Sequence, residues 1–158
     1  MLAYGSGDNK GLNSNGSKNL TFQPINPDFH PGLIFGMADL AGANFGNFYG
    51  LNGTYYNQGS LANLTVLNIG IDYMPKFSEK LSFLVDFYNF KINQDCTGNV
   101  GTDKTIGSEI DLNVNYKFAE NVTLGIAGGH FMPGNMIKKL TTANNPANKL
   151  ASYITVKW

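Results

Sequence analysis

Glu109 and Asp111 stand two positions apart in "GSEIDLNVNYKF" and are the first pair with the side chains for acid–base chemistry. A general acid and base need two titratable groups on one surface, and alternation puts this pair on one face of a strand. The same face of the following residues carries Asn113, Asn115 and Lys117, and other segments add Asp72, Asp86 and Lys157 in the same phase. Asp72 and Asp86 each lie seven residues from Glu79, the centre of "SEK", which sets them nearly opposite each other on one hairpin. Such a set is a wall of charges rather than a catalytic constellation, so no enzymatic activity is expected. As an acidic strip it would favour cations or hold polar solutes. As ordinary solvated wall it would only keep water in contact with the sheet.

Other residues with chemical potential stand alone. His130 falls on the opposite phase, beside Gly129, and reads as a rim residue rather than a metal ligand. Asp28, His30 and Asp39 could bind a metal but match no known ligand spacing. "GSGDNKG" lacks the preceding strand and following helix of a dinucleotide fingerprint. Cys96 is the only cysteine, so no intrachain disulfide can form. No metal and no cofactor is expected.

These residues are set in a chain of 158, with 11 lysines, no arginine, 11 acidic residues and zero net charge. Without the guanidinium fork, nucleic acid is a poor candidate partner. Charged residues make up only 14%, and aromatic residues 13%, which suits a β-rich protein whose outer surface does not all face water. No apolar run approaches the roughly 18 residues of a transmembrane helix. "MLAYGSGDNK" has no signal-peptide pattern, so the expectation is either a protein that is not exported or a piece of a longer chain.

From residue 63 onward apolar and polar side chains alternate with a period of two. Strands are expected near 63–77, 81–93, 106–118, 122–132 and 150–158, each antiparallel to its neighbour. The connections "SEK" and "AEN" are short, whereas residues 94–105 and 135–148 form long polar loops. Short and long connections therefore alternate, putting all turns at one end and all loops at the other. With strands of about ten residues, this pattern marks an outer-membrane β-barrel. Asp72, Asp86, Glu109, Asp111, Asn113, Asn115, Lys117 and Lys157 would then face the lumen. Tyr73, Tyr116, Phe118 and Trp158 would form an interfacial aromatic girdle near the turns. A soluble β-sandwich also alternates, but its second face should not be polar along its whole length.

The expected fold is therefore all-β: an antiparallel up-and-down transmembrane barrel sheet. Residues 63–158 supply five strands. Residues 1–62 are a loop-rich segment in which "MLAYG" could top a strand and 33–62 could be a short helix, a hairpin or a folded external loop. Five or six strands are fewer than the roughly eight of the smallest single-chain barrels, so the chain reads as the C-terminal portion of a larger barrel or as one of several chains completing it.

Two motifs add a resemblance. "HPGLIFGMADLAG" and then "IGSEIDLNVNYKFAENVTLGIAGGHFMPG" resemble the C-terminal part of the alginate-export family of outer-membrane barrels. The family pattern is a G-x-E-[IL]-D-L strand, a short turn, and a strand ending G-H-F-x-P-G. It falls here on Gly107, Glu109, Ile110, Asp111 and Leu112, then Gly129, His130, Phe131, Pro133 and Gly134. The resemblance implies a monomeric barrel with many more strands than this chain holds, and a structural role for Glu109 and Asp111. It also implies pore arginines wherever alginate is the cargo, and this chain has none. The expected function is a porin-like channel for polar solutes or polysaccharide export in the bacterial outer membrane. Its partners would be the lipid bilayer, the outer-membrane assembly machinery and the remainder of the barrel. The rivals are a scaffold barrel with a plugged lumen and a soluble carbohydrate-binding sandwich.

Overall fold

A computed structural model describes residues 1–6, 31–35, 63–94, 102–141 and 144–158. The elements are β1 (Leu2–Tyr4), β2 (Leu64–Tyr73), β3 (Leu81–Ile92), β4 (Thr105–Ala119), β5 (Val122–Pro133), α1 (Asn135–Thr141) and β6 (Ala147–Val156). Among the described residues the strands form one sheet in chain order, every neighbour antiparallel, and that sheet is not closed. The all-β meander read from the alternation is the fold of the described residues.

Local chemistry sets the strand ends. Pro75 is buried and has no N–H to donate to a ladder, so β2 stops at Tyr73 rather than running to 77. The chain then reverses through Ser78 N–H to Pro75 C=O (3.0 Å) and Leu81 N–H to Ser78 C=O (3.3 Å). β4 and β5 are joined by Glu120 and Asn121 alone. These two connections define the turn end, and the longer segments after β1, β3 and β5 define the loop end.

The last long connection departs from expectation. It is not loop throughout but holds α1, which buries Met136 and Ile137. Seven residues make only about two turns, too short a stretch for the helical spacing of Met136, Ile137 and Leu140 to stand out within a polar connection.

One face of the sheet is apolar and exposed. Ile69, Ile71, Val85, Phe87, Ile110, Leu112, Leu124, Ile126, Ile154 and Val156 are all open, with Ile71 at 70% and Ile126 at 56%. On β4 this face runs from Ile110 to Phe118, about 27 Å at ~3.4 Å per residue. At a tilt near 40° that length rises about 20 Å, the scale of the apolar band on outer-membrane barrels.

The opposite face is polar only towards the turns. Towards the loops it carries a core of Leu64, Val66, Phe90, Ile92, Ile106 and Phe131, capped by Phe35, Met136 and Ile137. The expectation of a uniformly polar second face is corrected here. A β-bulge supplies part of the reason. Phe90 pairs with Gly107 and Lys91 with Thr105, which leaves Ile106 as the extra residue. Strict alternation would point Ile106 to the apolar face; the bulge turns it into the core, where it is fully buried.

Candidate functional site

The polar face can be assembled row by row from the strand register. Gly70, Asp86, Asp111, Gly129 and Lys149 form one row across β2 to β6. The row nearer the loops is Asn68, Tyr88, Glu109 and Phe131. The row nearer the turns is Asp72, Leu84, Asn113, Ala127 and Ala151, and beyond it stand Ser82, Asn115, Gly125 and Tyr153. Lys117 pairs with Thr123. Lys157 follows β6 in the same phase, its N–H donating to Asn121 C=O at 2.9 Å. The side chains expected to line an interior thus share one face of the sheet.

Their local roles differ from the expectation in two respects. Asp72 and Asp86 are not opposite each other: Asp72 faces Leu84, and Asp86 faces Gly70 on one side and Asp111 on the other. The paired residues are symmetric about Ser78 rather than Glu79, which shifts the register by two. Asp86 also accepts a hydrogen bond from Asn68 Nδ2 at 2.8 Å. Glu109 and Asp111, moreover, are neither solvated wall nor an open acidic strip. Glu109 is fully buried and Asp111 is 3% exposed.

What covers them is the short segment from Pro31 to Phe35. Ile34 N–H donates to Glu109 Oε1 (2.6 Å) and Phe35 N–H to Glu109 Oε2 (2.9 Å). Leu33 N–H donates to Asp111 Oδ2 at 2.8 Å. Three consecutive main-chain donors therefore converge on two carboxylates, the arrangement by which backbone amides bind anions. Lys149 Nζ closes the other side by donating to Leu33 C=O at 2.9 Å. Gly32 makes the approach possible. Its φ is +84°, and a Cβ there would stand 3.0 Å from the Glu109 carboxyl atoms. Phe35 then stacks on Phe90, with ring centroids 4.0 Å apart, and lies 6.3 Å from Phe131.

The sequence marks this segment only as part of a family motif and does not disclose its role. Its hydrogen bonds come from main-chain N–H groups, which every non-proline residue has, so no side-chain motif announces them. The available signal was the sequence "PGLIFG" itself, a glycine before three apolar residues inside a polar loop.

A model of the family described as alginate export matches residues 2–149. The chain belongs to that family. No curated protein matches it. Of the motif residues, Glu109 and Asp111 are thus the ones that accept the main-chain hydrogen bonds of residues 33–35. The structural role implied for Glu109 and Asp111 has a physical form here: they are the anchor points of residues 33–35.

The rest of this export-family chain fits around that anchor. At the loop end, Asn63 Nδ2 donates to Gln94 C=O (2.9 Å), and Gln94 N–H returns to Asn63 Oδ1 (2.8 Å). Lys139 of α1 pairs with Asp103, and its hydrogen bond and charge hold the Asp103 carboxyl below its ordinary value. On the apolar face His130 Nδ1 lies 2.6 Å from Asn148 Oδ1, so this histidine is engaged near the loop end. Tyr73, Tyr116, Phe118 and Trp158 are all exposed towards the turns, Phe118 being the extra residue of a second irregularity between Lys117 and Ala119. At the turn end a cavity of about 330 Å³ lies among Glu79, Lys80, Lys117, Phe118, Ala119 and Glu120. Asp28, His30, Asp39 and Cys96 lie outside the described residues.

Proposed function

We propose that this chain forms part of the wall of an outer-membrane export channel, with residues 31–35 folded inside as a constriction. The observation that carries the reading is the pairing of opposite faces. One face exposes an apolar band that runs about 27 Å along β4, and the other is polar towards the turns and holds a main-chain segment on buried carboxylates. Water would not tolerate so large an exposed apolar face, whereas lipid requires one. Membership in an export family supports the same conclusion, and polysaccharide or another polar solute is the cargo. The apolar band faces the bilayer, and Tyr73, Tyr116, Phe118 and Trp158 sit at its periplasmic interface.

The open edges define the partners. β1 pairs with β2 only over Leu2–Tyr4, extended by Met1 and Gly5, so β2 has a free edge from Ile69 to Tyr73 among the described residues. In hydrocarbon each unpaired backbone group costs several kcal/mol. Further strands, from a longer chain or from other chains, complete the barrel, inserted by the outer-membrane assembly machinery.

The inward segment and the core at the loop end favour a narrowed channel over a wide porin, and they give the plugged scaffold its specific support. Planar-bilayer recording of the assembled protein separates the two. The channel reading predicts discrete conductance steps that grow when residues 31–35 are deleted. No conductance in either form would leave the scaffold.

A further inference from the structure

The polar half of the inner face contains one aromatic ring in an unusual setting. Tyr153 on β6 faces Gly125 on β5. A Cβ added to Gly125 would lie 2.2, 2.4 and 2.7 Å from Cζ, Cε2 and Cε1 of the tyrosine. Three adjacent ring atoms so close above one α-carbon mean that the ring lies flat across the glycine, in space that any other residue would fill. Its hydroxyl is fixed by donation to Asn115 Oδ1 at 2.6 Å, so the ring is pinned at its tip as well as by its own strand. The side chain is still 39% exposed. One face of the ring is therefore spent on the sheet and the other is turned to the interior.

The surroundings are polar and carry one charge nearby, Lys117, which pairs with Thr123 on the row next to the ring. Along the strands the ring is flanked by Ala151 and Thr155, and Asn113 and Thr123 stand on the neighbouring rows. The buried carboxylates of this face are already engaged by residues 33–35, and Lys149 by Leu33. What remains near Tyr153 is an electron-rich ring face bordered by amides and hydroxyls, with the Lys117 ammonium on the next row. That combination suits a pyranose ring. One face of a β-linked hexose presents axial C–H groups, weakly positive, which complement the negative face of an aromatic ring. Its equatorial hydroxyls project sideways, towards hydrogen-bonding neighbours.

We propose that Tyr153 is a stacking subsite for one pyranose ring of a polysaccharide passing along the inner wall. This deepens the channel reading and rests on it, because Tyr153 meets cargo only if its face of the sheet lines a passage. The stacking contact itself reads the uncharged body of the sugar.

The test is saturation-transfer NMR on the membrane-extracted protein in detergent, with cellohexaose as probe and sorbitol as an acyclic control. Transfer should appear on the axial ring protons of cellohexaose and not on sorbitol. Tyr153→Phe should retain it. Tyr153→Ala and Tyr153→Leu should weaken binding about fivefold, equivalent to about 1 kcal/mol, the scale of an aromatic stacking contact. The leucine variant still covers Gly125, so a loss in both variants is a loss of the ring and not of the fold. Equal transfer in wild type and Tyr153→Leu would overturn the proposal. So would equal transfer to sorbitol, or a loss in Tyr153→Phe as large as in Tyr153→Leu. Because binding is read without conductance, a conducting protein that fails this test loses the subsite and keeps the channel.

Discussion

Glu109→Gln should release the inward segment, although glutamine has the same shape as glutamate. The carboxylate accepts two hydrogen bonds, one on each oxygen, from Ile34 and Phe35. A carboxamide offers one oxygen and one NH2. Whichever way it is turned, an N–H of the segment meets an N–H of the side chain. The variant therefore loses one charge-assisted bond, worth about 1.5–3 kcal/mol, and leaves a main-chain donor unpaired in a buried place. Asp111→Asn makes the opposite case. Only Oδ2 of Asp111 holds the segment, through Leu33, and Oδ1 has no hydrogen-bond partner among the described residues. An asparagine can keep its oxygen on Leu33 and put its NH2 at the other position, so its cost should stay below about 1 kcal/mol. The assay is amide hydrogen exchange, followed by mass spectrometry on the peptide containing residues 31–35, in protein extracted folded from outer membranes. A loss of about 3 kcal/mol accelerates exchange of these amides by about two orders of magnitude. Glu109→Gln should approach that figure while the β4 and β5 peptides stay protected, and Asp111→Asn should remain within about fivefold of wild type. Wild-type exchange in Glu109→Gln would refute the claim that this carboxylate holds the segment.

Three further outcomes are expected. Leu112→Lys should destabilise the lipid-embedded protein by about 2–4 kcal/mol, and Asn113→Lys, on the polar face, should be mild; urea denaturation in lipid vesicles measures both, and equal losses would mean a core on both faces. The Asp103–Lys139 pair depresses the aspartate's pKa, so its support for α1 is present above the ordinary carboxylate value near 3.8 and fades as pH falls below it. Exchange of the α1 amides should quicken across that acidic range in wild type, and Asp103→Asn should flatten the profile. Trp158→Ala, which removes a ring whose burial in the interface is worth on the order of 2–3 kcal/mol, should slow appearance of the heat-modifiable folded band in cells, and Lys157→Ala should not.

The strands were legible because each has a polar and an apolar side, and alternation is a local property. "EIDLNVNYKF" declares both faces of β4 without reference to any other part of the chain. The interior was less legible, because its content depends on contacts between distant residues. Glu109 reads as a polar wall residue in its own strand. It is buried only because residues 34 and 35, some 75 positions upstream, come to rest on it. Ile106 was hidden by a bulge, where one extra residue breaks the phase on which the whole reading depends. Tyr153 and Gly125 look unrelated in sequence and become one unit only through the β5–β6 register.

Recognition of residues 33–35 through main-chain amides also bears on how this family can change over time. An N–H group is supplied by nearly every amino acid, so mutation at position 33 or 34 can alter bulk and polarity without deleting the donor. Only proline there would remove it. Freedom is missing at the other members of the arrangement. Position 32 must supply a bare α-carbon at positive φ, and position 109 must supply two acceptors at glutamate length. Divergent relatives should therefore vary in the lettering of this segment while Gly32 and Glu109 are inherited, or lost, together. A lineage that kept the segment's sequence but replaced Glu109 would have kept the words and lost the grammar: the same residues, no longer fastened inside the wall.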